Sequence, residues 1–327
     1  MGYRLSVAVE RFPIAGRFTI ARGSRTEAVV VTATVEADGA AGRGECVPYP
    51  RYGESVEGVA GAIEAMRSGL EAGLDRAALQ ERMPPGAARN ALDCALWDWE
   101  AKMSGLPAHV AAGLDRMRPV TTAYTISLAD PAAMAEAAAA AGRPILKIKL
   151  GGPDGDLDRI RAVREAAPDA VLVADANEGW TPETLGPHLD ACAAAGFALV
   201  EQPLPADADE ALRGVTSPVP LCADESVHDR ATLPRLVGLY DAVNVKLDKT
   251  GGLTEALALV RSAEELGLGV MVGCMVGTSL AMAPALVPAQ RARFVDLDGP
   301  LLLARDREPG LSYEGGLVHP PPRALWG

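Results

Sequence analysis

Six charged residues recur at nearly even intervals in the second part of the chain: Lys149, Asp175, Glu201, Asp224, Lys246 and Asp298. Successive separations are 26, 26, 23, 22 and 52. Each ends an apolar run that reads as a strand. Asp175, Glu201 and Asp224 form an all-oxygen set suited to a hard cation such as Mg²⁺, whereas zinc would prefer His or Cys. None of the four histidines, His109, His188, His228 and His319, ends a strand-like run. A carboxylate at a strand end can instead cap the following helix, but three on consecutive strands would repel one another without a cation. Lys149 and Lys246 flank the triad in chain order. A lysine near a cation and partly desolvated is expected to have its pKa lowered, which makes it a general base. Two such lysines facing each other can take a proton from one side of a carbon and return one to the other. With a metal that stabilises an enediolate, this chemistry inverts a carbon next to a carboxylate. In ILKIKLGG, Lys147 precedes Lys149 by two, so both project from one face of the strand; Lys147, a layer below, is expected to neutralise carboxylates. The alternative is that both lysines merely offset the acidic cluster.

These residues need elements that converge. From about residue 119 eight strand-like runs appear: VTTAYTIS, ILKIKL, AVLVADAN, ALVEQPL, PLCADES, AVNVKLD, GVMVGCM and RFVDLD. Most gaps read as helices, for example DLDRIRAVREAA and LTEALALVRSAEELG. Strands alternating with helices indicate successive βα crossovers, and eight units suggest a closed (β/α)8-type barrel whose strand ends meet at one mouth. Residues 1–118 read as α+β. RLSVAVERF and AVVVTATVEA alternate like strands, and ARNALDCALWDWEAK carries Ala91, Leu92, Ala95, Leu96 and Trp99 at helical spacing. IARGSRTEA and ECVPYPRYGES read as polar loops between them. The tail 300–327 is expected to return to this first domain.

Composition narrows the partners. The chain has 327 residues, 49% of them hydrophobic, and a formal net charge of −12. That charge argues against nucleic acid or an anionic membrane surface, both of which need a basic face. Five scattered cysteines without a CxxC pair suggest neither a disulfide framework nor a zinc site. With no long apolar run, a cytoplasmic setting and a small-molecule partner are expected. IKLGGPDGD puts glycines after a strand but is not GxGxxG, which disfavours dinucleotide binding.

Taken together, KIKLGG, VADANEGW, EQPL, ADES, NVKLDKTGG, GCM and DLDGP resemble the muconate-lactonizing-enzyme branch of the enolase superfamily, and within it the dipeptide epimerases, most closely those acting on L-Ala-D/L-Glu. IARGSR, GECVPYPRYGES and ARNALDCALWD extend the likeness into the first domain. The resemblance implies an α+β capping domain of residues 1–118 completed by 300–327, and a modified (β/α)7β barrel over 119–299. It implies Mg²⁺ on Asp175, Glu201 and Asp224, with Lys149 and Lys246 as the acid/base pair. Lys246, not Lys249, matches the catalytic position, because Lys249 has passed into the loop. Asp296 and Asp298, expected on one face of the eighth strand, would take the α-ammonium of a dipeptide. Thr125 and Lys147 join them as substrate-binding candidates, and Arg25, rather than Arg22 or Arg51, would pair with the distal carboxylate of Glu. Peptidoglycan peptide metabolism is the implied setting, and an assembly of identical chains is compatible with it. Three neighbouring activities share the metal and lysines: N-acyl amino acid racemase, o-succinylbenzoate synthase and cycloisomerase. A non-catalytic ligand-binding barrel is the remaining alternative.

Overall fold

The computed structural model describes residues 2–152 and 154–327. Its first portion is a three-stranded antiparallel sheet of β1 (Arg4–Ile20), β2 (Gly23–Ala37) and β3 (Ala40–Cys46) in that spatial order. Val31, Ala33 and Val35 alternate inward from β2. The helix Ala87–Ser104 lies on them. Gly42 and Gly44 of β3 permit the close approach, since a Cβ at either position would stand 2.1 Å from a carbonyl oxygen of that helix. The helix is buried on two sides. Ala91, Leu92, Ala95, Leu96 and Trp99 pack toward the sheet, while Cys94, Trp97 and Ala101 join the barrel's core. The second stripe is not evident from the single apolar face read in the sequence.

IARGSRTEA, expected as a loop, is instead mostly strand. After an irregularity between Pro13 and Phe18, the β1–β2 pairing resumes with Phe18 opposite Arg25, Thr19 opposite Ser24 and Ile20 opposite Gly23. Main-chain pairing is indifferent to side-chain polarity, so a polar stretch extends the ribbon as a hairpin.

Eight parallel strands follow in sequence order around the sheet: β5 (Tyr124–Ile126), β6 (Ile145–Lys149), β7 (Val171–Asp175), β8 (Phe197–Glu201), β9 (Leu221–Ala223), β10 (Ala242–Val245), β11 (Gly269–Gly273) and β12 (Phe294–Asp296). Across the seam between β5 and β12, Ala123 N donates to Val295 O at 2.8 Å. The VTTAYTIS run is divided, because β4 (Val120–Thr121) pairs with the tail hairpin of β13 (Tyr313–Glu314) and β14 (Leu317–Val318). Two of the seven crossovers are abbreviated to a 3-10 turn at Asp209–Leu212 and a four-residue helix at Leu233–Leu236. Among the described residues no α-helix follows β12, which makes the barrel (β/α)7β. Alternation along β6 sends Leu146 and Ile148 outward against the helices and Ile145, Lys147 and Lys149 inward in rising layers. The lowest inner layer is apolar, formed by Val173, Leu199, Cys222, Ala242 and Met271 with Ile145 and Phe294. Beyond β12 the chain returns along the first sheet, where Ala304 N donates to Pro13 O at 2.8 Å. Trp326 Nε1 donates to Cys94 O at 3.0 Å.

Candidate active site

The register of β6, β7 and β8 brings Lys149, Asp175 and Glu201 level at the C-terminal rim. Asp224 follows β9, and Lys246 follows β10 as the residue before the helix Leu247–Thr250. All five are buried. Lys149 Nζ donates to Asp175 Oδ2 at 2.5 Å, and Lys246 Nζ to Asp224 Oδ2 at 2.6 Å. From the layer below, Lys147 Nζ lies 2.7 Å from Asp296 Oδ2, 2.8 Å from Glu201 Oε2 and 3.1 Å from Asp175 Oδ2. A single buried ammonium thus spans three carboxylates. Lys249, expected in a loop, is instead buried in the short helix. Its Nζ holds Asp224 Oδ1 at 2.6 Å and the carbonyls of Asp224 and Asn244 at 2.5 and 3.0 Å.

Among the described residues, no three His, Cys, Asp or Glu side chains are drawn together around one point as a ready metal cage; ammonium groups occupy the spaces between the triad carboxylates. The donor set nevertheless fits a hard divalent cation. Glu201 Oε2, although close to Lys147, is not aligned for a hydrogen bond and remains a buried oxygen without a partner. The oxygens of Asp175 and Asp224 that carry Lys149 and Lys246 are held by single charges that a divalent ion can replace. Burial, reinforced by the Asp175 charge, pushes the Glu201 carboxyl up to about 8. The Lys147 charge alone does not offset this, and a cation would add positive charge that favours the ionised form.

The anticipated lowering of the lysine pKa meets an opposing force. Burial pushes Lys246 down, but the adjacent Asp224 carboxylate outweighs it and holds the ammonium well above the usual lysine range. Lys147 behaves in the same way, its burial outweighed by Asp175, Asp296 and Glu201. The reason is local Coulomb attraction, and a cation drawing on the same carboxylates would weaken it.

Asp296 and Asp298 do not share a strand face. β12 ends at Asp296, whereas Asp298 precedes the 3-10 turn Gly299–Leu302 with helical-type φ and ψ of −92° and 2°. Asp296 is paired with Lys147. Asp298 Oδ2 accepts the Thr125 amide, at 2.6 Å, and Asp298 lacks a cationic partner among the described residues. Burial, then the neighbouring Asp296 charge, raises the Asp298 carboxyl to about 7. A positive group beside Asp298 would therefore favour its ionised form. Thr125 contributes its backbone N–H.

The first sheet roofs the site over a cavity of about 440 Å³. Its three candidate arginines have different occupations. Arg22 reaches Glu225 at 2.6 Å, Asn177 O at 2.7 Å and Glu178 at 3.0 Å, and Arg51 makes a two-pronged contact with Glu178 at 2.7 Å. These pairs fasten the roof to the β7 and β9 ends. Arg25 lines the cavity, exposed, with its guanidinium 5.1 Å from the centre of the Tyr49 ring and no carboxylate partner among the described residues.

Three positioning groups escape the strand-end reading. Asn244 Nδ2 donates to Glu201 Oε1 at 2.7 Å. Its place two residues before Lys246 on β10 was the available signal, because period two puts both on the inner face. Gln202, fully buried at a left-handed φ of 36°, accepts the Asp224 and Ser226 amides through Oε1 and so fixes the ADES turn. Glu225 receives Arg22. Nothing local in the sequence distinguishes these last two.

The chain as a whole is similar to known proteins. Residues 4–111 match the mandelate racemase/muconate lactonizing enzyme N-terminal domain, and residues 130–324 the enolase C-terminal domain-like family. The chain belongs to the mandelate racemase/muconate lactonizing enzyme family. Within it, the chain is 47% identical over 320 residues to the L-Ala-D/L-Glu epimerase of Escherichia coli K12, covering 96% of this chain and 99% of that protein. It is 45% identical over 290 residues to an N-acetyl-D-glutamate racemase of a Pseudoalteromonas species, covering 88% and 91%. A crystal structure from Agrobacterium tumefaciens, an enolase family member with homology to dipeptide epimerases and bound sodium and L-Ala-L-Glu, superposes with a TM-score of 0.98. It is 57% identical, covering 99% of this chain and 100% of that one. Members of this superfamily use Mg²⁺.

Proposed function

We propose that this member of the family is a Mg²⁺-dependent dipeptide epimerase that interconverts L-Ala-L-Glu and L-Ala-D-Glu. One observation carries the reading: two lysines bracket a carboxylate triad, and among the described residues Asp298 lacks a cation on one side of the cavity and Arg25 lacks an anion on the roof. In this reading residues 1–118 with 300–327 form the cap and 119–299 the catalytic barrel. Asp298 receives the dipeptide's α-ammonium, Arg25 receives the Glu side-chain carboxylate, and the susceptible α-carbon lies between Lys149 and Lys246. One lysine takes the α-proton as a free amine, and the other, as an ammonium, delivers a proton to the opposite face. Asp175, Glu201 and Asp224 would hold Mg²⁺, which supplies positive charge to the substrate carboxylate as the α-carbon loses its proton. Lys147 balances the negative charge from beneath, and Asn244, Gln202 and Lys249 keep the carboxylates in place. Handling of peptidoglycan peptides in the cytoplasm is the setting that suits such a substrate.

The second reading, racemisation of N-acetylglutamate, is favoured by the 45% identity to the Pseudoalteromonas racemase. It replaces the ammonium by an acetamide and leaves Asp298 buried without a cation. Proton NMR of L-Ala-L-Glu with enzyme and Mg²⁺ in D₂O tests both. Epimerisation with deuterium entering the Glu α-position supports the proposal; turnover of N-acetylglutamate without turnover of the dipeptide refutes it.

A further inference from the structure

The two lysines have different surroundings on the roof side. On the Lys149 side stands Phe18, delivered where β1 resumes pairing after its irregularity. Lys149 Nζ lies 5.8 Å from the centre of the Phe18 ring, and Asp175 holds the same nitrogen at 2.5 Å. Phe18 also stands opposite Arg25 in the β1–β2 register, so their side chains share a face of the hairpin, and both line the substrate cavity. On the Lys246 side stands Tyr52, whose ring meets His228 edge-on at 4.8 Å. Tyr52 lines the substrate cavity and also a second cavity of about 360 Å³ bordered by Glu54, His228, Asp248 and Lys249. That second space is polar enough to hold water. The two lysine side chains are equally buried, each 8% exposed, but one faces an apolar ring, whereas the tyrosine in the wall of the cavity that the other lines also borders a polar chamber.

Resting on the epimerase reading, we infer that Phe18 is a positioning residue that shields the Lys149 ammonium from solvent exchange, so that the enzyme treats protons on its two faces unequally. When Lys149 takes the α-proton, the C–H bond breaks, its electron pair stays with the substrate and the proton becomes one of three on Nζ. Returning a different hydrogen to the same carbon requires the ammonium to turn or to exchange with water. A ring over the group opposes both. Lys246 lacks the apolar cap.

The test is proton NMR of the Mg²⁺-loaded enzyme in D₂O, started separately from L-Ala-L-Glu and from L-Ala-D-Glu. For each, the deuterium gained at the Glu α-carbon of the unconverted dipeptide is divided by the epimerisation observed. A Lys246→Ala variant identifies the epimer that Lys149 serves, because only that epimer should still exchange. In the wild type the ratio should be lower for the Lys149 epimer. Phe18→Ala should raise that ratio by about threefold or more and leave the other epimer's ratio unchanged. Phe18→Leu, which keeps apolar bulk, should fall between and guards against a folding defect. Equal ratios in the wild type, or a Phe18→Ala effect of equal size on both epimers, would overturn the inference and leave the epimerase reading standing. Absence of both epimerisation and exchange in the wild type would overturn the two together.

Discussion

Removing the Arg25 guanidinium, as in Arg25→Met, isolates its proposed role, because this arginine has no carboxylate partner within the described chain and only the Tyr49 ring beside it. A hydrogen bond to a charged group contributes about 1.5–3 kcal/mol. Arg25 is exposed, so drying its guanidinium as the substrate binds offsets part of the gain. The lower half of the range, about 1.5–2 kcal/mol, corresponds to roughly a ten- to thirtyfold effect. The wild type should therefore prefer L-Ala-L-Glu to L-Ala-L-Gln by about that factor in kcat/KM, and Arg25→Met should bring the ratio close to one. Arg25→Lys should retain part of the preference, since it keeps the charge and loses the two-pronged geometry. Arg22→Met is the control. Its partners are Glu225, Glu178 and Asn177, so it should slow both dipeptides by a similar factor through a loosened roof. Coupled assays of the two dipeptides at several concentrations give the ratios. A variant lacking Arg25 that keeps the full preference for Glu refutes the assignment.

Three other outcomes follow from the geometry. Glu201→Gln should lower turnover by roughly a hundredfold or more and weaken Mg²⁺ binding in calorimetry, and chelation of the wild type should abolish turnover until Mg²⁺ is restored; full activity in excess chelator would remove the metal from the reaction. Asp298→Asn, which can still accept the Thr125 amide, should reduce dipeptide turnover by about tenfold by halving a charge-assisted contact, and N-acetylated Ala-Glu should be a poor substrate of the wild type in the same assay. Asp248 accepts Val47 N at 3.0 Å and Asn90 Nδ2 at 2.9 Å, and burial raises its carboxyl to about 7. Its favourable contribution belongs to the protonated form, is present in full below the unfolded value of about 4 and is lost as pH rises toward 7. Asp248→Asn should therefore raise Tm at pH 8, by an amount on the order of a few kcal/mol in stability, with the gain vanishing near pH 4 in thermal melts.

The grouping of the site residues was legible in the sequence because it lies on local patterns. A period of two along a strand fixes which residues share the inner face, and a repeat of strand and helix fixes where each strand ends. Lys147, Lys149, Asp175, Glu201, Asp224 and Lys246 needed only those two periodicities to be recognised as one constellation, and Asn244 could have been found by the same rule. The eight barrel strands were legible for the same reason. β3 was not, since AAGRGEC has glycines where an alternating apolar residue would have marked a strand, and those glycines exist to admit the helix Ala87–Ser104.

Only the tertiary structure shows which partners chemically equal candidates find. Arg22, Arg25 and Arg51 have the same chemistry, and what separates them is which finds Glu178 or Glu225, acids more than a hundred residues away on another domain. Asp296 and Asp298 differ because the strand ends between them and because Lys147, 149 residues earlier in the chain, reaches only the first. Gln202 supports Asp224 through a backbone conformation that no local propensity favours. In each case the deciding contact joins segments distant along the chain. A side chain's local pattern specifies its face, but its partner depends on the register of strand pairing and the closure of one domain on another.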